Sequence, residues 1–211
     1  TKDVTLTIAG GGTVDRALVT TTVGTTDQAD ARIKNPQDAD ADFKTNNLYE
    51  VTPNAQVKSQ TVNPGVTGTY YMALQNDGNR TQTYTMAGTG NSTGWTVRYF
   101  DAQTGGAEIT SAVTGTGMSF TLAVASEQAL RVEVTPASVP TSPPASTIKD
   151  VIATFFVPDV NNQPTAVDSV KASTTVNNED KSDLMIRNKG ESTYLTDNLY
   201  ENPPAVQLKS Q

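Results

Sequence analysis

T-G-T-Y-Y-M-A-L-Q-N-D-G-N, residues 67–79, carries the clearest strand signature in this chain of 211 residues. Tyr70, Met72 and Leu74 alternate with Thr69, Tyr71 and Ala73, the period of two that sends one set of side chains to a buried face. The N-D-G-N that follows is predicted to be a tight hairpin turn, because Asp-Gly readily supplies the positive φ such a turn requires. The same alternation recurs downstream. T-Q-T-Y-T-M-A buries Tyr84 and Met86, and G-W-T-V-R-Y-F sets Trp95, Val97 and Tyr99 on one face. S-F-T-L-A-V groups Phe120, Leu122 and Val124, and A-L-R-V-E-V groups Leu130, Val132 and Val134. After a proline-rich loop over residues 135–147, K-D-V-I-A-T-F-F-V sets Val151, Ala153, Phe155 and Val157 together, and D-S-V-K-A-S-T-T-V does so for Val170, Ala172, Thr174 and Val176. No stretch reads as a convincing helix. The prediction is all-β: an immunoglobulin-like antiparallel β-sandwich over residues 30–176.

The chain also repeats itself. N-N-L-Y-E-V-T-P-N-A-Q-V-K-S-Q at residues 46–60 returns as D-N-L-Y-E-N-P-P-A-V-Q-L-K-S-Q at 197–211, an offset of 151. D-A-R-I-K-N from Asp30 returns as D-L-M-I-R-N from Asp183, and A-L-V-T-T-T-V from Ala17 as V-K-A-S-T-T-V from Val170, both at 153; K-D-V at Lys2 returns at Lys149, at 147. Residues 1–29 therefore read as the closing hairpin of a preceding repeat and residues 177–211 as the opening strand segment of a following one. The expectation is an incomplete unit at each terminus of one complete sandwich.

Composition removes most chemistry. With no cysteine and no histidine, disulfides, thiolate and imidazole metal sites, and every Cys- or His-based catalytic triad are absent. A net charge of −7, with Lys and Arg scattered singly, argues against nucleic acid as a partner. No apolar run approaches the roughly 18 residues of a membrane span. Beginning at Thr1 without a signal-like segment, the chain is expected to be a soluble, processed or excerpted polypeptide.

V-N-P-G-V-T-G-T-Y-Y-M-A-L-Q-N-D-G-N, G-W-T-V-R-Y-F-D-A-Q-T-G-G-A-E-I-T and V-E-V-T-P resemble the immunoglobulin-like tandem repeats of large bacterial surface and secreted proteins. The resemblance implies an extracellular or cell-surface location and a spacer or scaffold role, with no catalytic residues to carry over. It also implies a partner of the same kind, an adjoining repeat or another copy of the chain.

The end pieces lack the apolar content to order themselves alone: about 30 residues at ~1.5 kcal/mol each need about 1,800 Å² of apolar burial. Two resolutions stay open, a longer tandem array whose adjoining repeats complete the sandwiches, or a subunit whose terminal strands insert into neighbours. Val4, Leu6, Ile8 and Val19 at one end, and Leu184 and Ile186 at the other, are the candidate assembly residues.

Asp38, Asp40 and Asp42 alternate as D-x-D-x-D and are a candidate calcium site; a solvated acidic loop is the competing reading, and no other cofactor is expected. The matching N-K-G-E-S-T-Y is read as lacking such acids. Asp101, Glu108 and Glu133 are the acids to weigh for glycoside hydrolysis, and the chain is expected not to be an enzyme. Tyr70, Tyr71, Trp95, Tyr99 and Phe100 are the candidate stacking platform for a polysaccharide, the alternative function being a carbohydrate-binding or adhesive module, although most of them fall on the predicted core face. Asn79-Arg-Thr and Asn91-Ser-Thr fit the glycosylation pattern, and a Lys–Asn isopeptide bond would suit a sandwich without disulfides.

Overall fold

The computed structural model describes residues 1–43, 46–137, 148–158, 164–177 and 186–192. It comprises two compact units, residues 1–176 and 177–211. In chain order the first contains β1 (Lys2–Gly10), β2 (Thr13–Thr21), β3 (Ala29–Lys34), β4 (Val57–Val62), β5 (Gly68–Asn76), β6 (Gln82–Gly88), β7 (Trp95–Phe100), α1 (Thr110–Val113), β8 (Met118–Leu122), β9 (Glu127–Pro136), β10 (Ile148–Pro158) and β11 (Pro164–Val176).

Two sheets form an immunoglobulin-like sandwich, one ordered β3-β5-β9-β7 and the other β4-β11-β10-β6-β8. The alternating residues of each strand meet between them: Ile33, Tyr70, Met72, Leu74, Val97, Tyr99, Leu130 and Val132 from the first, and Tyr84, Met86, Val151, Phe155, Val170 and Ala172 from the second. Each large side chain so buried is worth roughly 1.5–3 kcal/mol of transfer free energy. The buried tyrosines keep their hydroxyls satisfied. Tyr70 spans the sandwich, donating to Ser173 O at 2.7 Å and lying 2.9 Å from Thr174 Oγ1, while Tyr84 donates to Asn76 Oδ1 at 2.7 Å.

Several expectations are corrected. N-D-G-N joins β5 to β6, which lie in different sheets, so it is a crossover and not a hairpin turn, and neither Asp77 nor Gly78 has positive φ. The sandwich is not purely antiparallel, since β4 runs parallel to β11 from Val57 beside Lys171 to Val62 beside Val176. The expectation of no helix fails at Thr110–Val113, where α1 follows a single bridge from Glu108 to Phe100 and Ile109 and Val113 are buried. Val124 lies beyond the end of β8 and is exposed.

The hairpin β1–β2 belongs to neither sheet, and every residue of both strands is exposed. Its turn is tight because Gly11 and Gly12 have φ of 59° and 83°, the pair of positive values a two-residue turn needs.

In the second unit, Asn188 N donates to Glu191 Oε2 at 3.0 Å, Glu191 N to Asn188 O at 3.1 Å, and Arg187 to Glu191 O at 3.2 Å. In the first, Asn35 N donates to Asp38 Oδ2 at 3.0 Å, Asp38 N to Asn35 O at 3.0 Å, and Lys34 Nζ to Asp38 O at 3.1 Å. These are the same three bonds 153 residues apart. Glu191 stands where Asp38 stands, which corrects the reading of N-K-G-E as having no matching acid.

Candidate functional site

The segment from β3 through β4 opens the sandwich, and beside the β4–β11 ladder one buried carboxylate gathers three of its points onto the closing hairpin β10–β11. Asp168, on β11 opposite Phe155, is fully buried. Its Oδ2 accepts from Ala31 N at 2.6 Å and Gln56 Nε2 at 3.1 Å, and its Oδ1 from Glu50 N at 2.8 Å and Ser169 N at 2.8 Å. Three points of the opening segment thus converge on one acid. Burial pushes the Asp168 carboxyl up in pKa, against the pull of those four donors. Gln56, also fully buried, donates through its side chain to Leu48 O at 3.1 Å and to Ala31 O, and its backbone carbonyl accepts from Lys171 N at 2.9 Å, where β4 enters its parallel pairing.

The duplicated letters of the L-Y-E to K-S-Q segment are those that make these bonds. Glu50 Oε2 accepts from Asn54 N at 2.8 Å and Ala55 N at 2.9 Å, closing the turn that carries buried Pro53; Tyr49 donates to Asp77 Oδ2 at 3.0 Å; Lys58 pairs with Asp38 at 2.6 Å. Beside Asp168, Asp30 is fully buried and accepts from Asn47 N at 3.2 Å, while its Oδ1 has no protein partner. Burial pushes its carboxyl up to about 6; the Asn47 N–H and Arg32 oppose the rise, and Asp77 and Asp168 add to it.

The hairpin β1–β2 reproduces β10–β11 pair by pair. Lys2 beside Thr21, Val4 beside Val19, Leu6 beside Ala17 and Ile8 beside Asp15 correspond to Lys149 beside Thr174, Val151 beside Ala172, Ala153 beside Val170 and Phe155 beside Asp168, with the three intervening pairs in step. Val4, Leu6, Ile8, Ala17 and Val19 share one face, and their counterparts Val151, Ala153, Phe155, Val170 and Ala172 are all core residues at no more than 2% exposure. Val4, Leu6, Ile8 and Val19 are themselves 57–66% exposed. Asp15 occupies the Asp168 position and makes the same local bond, accepting from Arg16 N at 2.8 Å. Asp15, Asp168 and Gln56 escape a reading of apolar periodicity, but the first two lie 153 residues apart, the offset that already relates Ala17 to Val170.

The connector between hairpin and sandwich, residues 24–28, is bracketed by N-D-G-N. Asn79 donates to Gly24 O at 2.7 Å, accepts from Thr26 N at 2.9 Å and sends its own N–H to Thr26 O at 3.1 Å. Asp77 N donates to Gln28 O at 2.9 Å, and Arg80 grips Asp27 through two bonds of 2.6 and 2.5 Å. Gly78 is required by proximity, since a Cβ there would stand 2.5 Å from Thr26 O.

The remaining sequence-predicted residues disperse. Asp38 binds Lys58 and the Asn35 N–H, which hold its carboxyl below the usual range; Asp40 binds Lys34 at 2.7 Å; Asp42 accepts from Ala39 N at 3.1 Å. Among the described residues no three acids, histidines or cysteines group as a metal site. Asp101 accepts from Ala107 N, Glu108 pairs with Arg98 and Glu133 with Arg131, so each of these acids is engaged by a partner of its own. Of the aromatic platform, Tyr70, Trp95, Tyr99 and Phe100 are buried, and Arg131 stacks on Phe100 at 3.9 Å. A shallow hollow of about 560 Å³ lies at the edge of Trp95 between Asn91 and Thr135. Asn79 is held at both ends of its amide, and Asn91 accepts from Val97 N. Lys149 donates to Gly90 O and Ser92 Oγ, each at 3.0 Å. Ile186 is exposed in the second unit, and Leu184 lies outside the described residues. Among the described residues no helix is long and apolar enough to cross a membrane.

No protein-family model and no curated protein matches this chain. Among solved structures it is similar to a FixG-related protein from Vibrio parahaemolyticus, at 10% identity and a TM-score of 0.37, with 72% of this chain and 98% of that one covered. It is also similar to the CARDB domain of the PF1109 protein from Pyrococcus furiosus, solved in complex with di-metal ions, at 13% identity and a TM-score of 0.33 over 71% and 88% of the two chains. A PapD-like domain of human CEP192 gives 10% identity and 0.36 over 71% and 87%.

Proposed function

We propose that this chain is a stretch of a tandem array of immunoglobulin-like sandwiches, an extracellular spacer in which successive units are joined covalently and hairpin β1–β2 closes the unit before residues 30–176. The observation that carries this reading is the register identity of β1–β2 and β10–β11 over seven consecutive pairs, with the exposed apolar face of the first matching the buried face of the second. The repeated turn at Asn35–Asp38 and Asn188–Glu191 supports the same reading at the other end. The bracketed connector suits a spacer, because bonded joints transmit orientation from unit to unit. Threonine-rich exposed faces fit a surface location.

Gln211 stands where Gln60 stands, so a second copy of residues 61–176 joined after Gln211 should complete a second sandwich with residues 183–211 as its opening segment. The extended protein is expected to show a second full set of dispersed amide resonances and a roughly doubled unfolding enthalpy. An appended copy that stays unfolded while residues 30–176 fold normally sinks the reading. Concentration-dependent growth of the original chain into filaments would instead favour strand exchange between subunits.

A further inference from the structure

We infer that the outer edge of β2 and the carboxylate of Asp15 are a docking surface for the opening segment of an adjoining sandwich, received in parallel. This deepens the array reading and rests on it. Three donors would converge on Asp15: the backbone N–H groups equivalent to those of Ala31 and Glu50, and a glutamine side chain equivalent to Gln56. The occupant is thus a segment of the pattern D-x-x-I-[K/R]-N followed by L-Y-E and Q-x-K-S-Q, as at residues 30–60.

The inference stands on what covers the equivalent surface. The edge of β11 from Lys171 to Val176 pairs in parallel with Val57 to Val62, and Lys171 N donates to Gln56 O. At the matching positions, residues 18–23, β2 and the chain just beyond it have no strand partner on their outer edge among the described residues. Phe155 and Asp168 are both fully buried, the acid against the opening segment, whereas Ile8 and Asp15 in the same arrangement are exposed. Asp15 already makes the one bond that Asp168 makes within its own strand; among the described residues the other three sites on the Asp15 carboxylate have no donor. A bare apolar β-face and edge of this kind are a liability unless a partner covers them.

The partner's chemistry follows from the acid. An acceptor-only carboxylate beside an apolar strip excludes an occupant that cannot supply N–H donors there, because the buried charge would then be uncompensated. It also fixes the register, since sliding the incoming strand by one residue turns its side chains to the other face and removes its glutamine from reach.

Thr1 stands where Ile148 stands, so joining a copy of residues 28–147 ahead of Thr1 supplies the opening and middle strands for hairpin β1–β2. In this extended chain Asp15→Ala is expected to lower the melting temperature of the added sandwich by about 10 °C, the same shift expected of Asp168→Ala in the original. Asp15→Asn, which keeps the shape and one acceptor, should lower it by about half as much. Amide exchange at the added copies of Ala31 and Glu50 should quicken at least about tenfold in Asp15→Ala. The same substitution in the 211-residue chain should move its melting temperature by less than about 1 °C, because Asp15 is exposed there. If the added sandwich folds but Asp15→Ala changes neither melting nor exchange, the docking inference fails while the array reading stands. If the added copy stays unfolded beside the hairpin, both fail.

Discussion

Asn79 holds Thr26 from both sides, accepting its N–H at 2.9 Å through the side chain and donating its own N–H to the Thr26 carbonyl at 3.1 Å. With the Arg80–Asp27 pair, this makes the connector an extension of the β5–β6 crossover. Asn79→Ala combined with Arg80→Ala is expected to quicken amide exchange at Thr26 at least about tenfold, because these partners lie outside the core and the connector opens locally. The sandwich itself should lose less than about 1.5 kcal/mol, since exposed pairs contribute little. Hydrogen exchange followed by NMR, with a parallel denaturant titration, checks both halves. Loss of the whole core's protection would contradict this division.

Asp168→Ala strips four donors of their acceptor inside the protein. Unpaired buried donors cost about 1–3 kcal/mol each, softened by water entering the space, so a net loss of roughly 3 kcal/mol is expected in urea unfolding. Asp168→Asn, which retains one oxygen, should cost less.

Asp30 gives stability a pH dependence of definite sign. Its folded pKa of about 6 lies above the ordinary value of 3.8, so the folded state holds the proton more tightly. That contribution is complete below about 4 and is lost as pH rises through 6. Unfolding free energy should therefore rise by about 1–3 kcal/mol as pH falls from 7.5 to 4.5. The carboxyls of Asp27, Asp38, Glu50 and Glu108 are shifted downward and act in the opposite sense at lower pH, placing the optimum in weak acid. Asp168, also raised by burial, adds in the same sense, so Asp30→Asn should reduce the rise without removing it; an unchanged slope in that variant would exclude Asp30 as a source.

Val4→Asp with Leu6→Asp tests whether the hairpin supports the sandwich of residues 30–176. Both positions are exposed, so the melting temperature should stay within about 1 °C. The same pair of changes at the matching core positions, Val151→Asp with Ala153→Asp, should abolish cooperative unfolding, because two charges would be buried without partners. Circular dichroism melts of the two double variants make the comparison.

The core was legible because period two is a local property: Tyr70, Met72 and Leu74, or Val151, Ala153 and Phe155, announce their shared face without knowledge of a partner strand. What N-D-G-N does was not legible, because turn chemistry reports a reversal but not whether the next strand pairs within the same sheet or crosses to the other. The parallel pairing of β4 with β11 joins residues more than a hundred positions apart and leaves no local mark. The D-x-D-x-D acids looked like one cluster awaiting a cation, but Lys34 and Lys58 arrive from different strands and occupy Asp40 and Asp38. The clamp residues were hidden differently. Asp168 reads as a polar interruption of an apolar strand, and only its position opposite Phe155, matched by Asp15 opposite Ile8, gives it meaning.

Pulling on a string of such units would act on the parallel pairing of β4 with β11 in a particular way. The two strands run in the same direction, so the end of β4 nearer the start of the chain and the end of β11 nearer its finish lie at opposite extremes of the ladder. Opposed forces there load all its rungs in shear together instead of peeling them one after another, with Asp168 lashing the two strands at the point of entry. Resistance of this kind is governed by the barrier to unfolding and not by equilibrium stability. The bonds that hold the folded state at equilibrium would therefore also set how long such a string endures under tension.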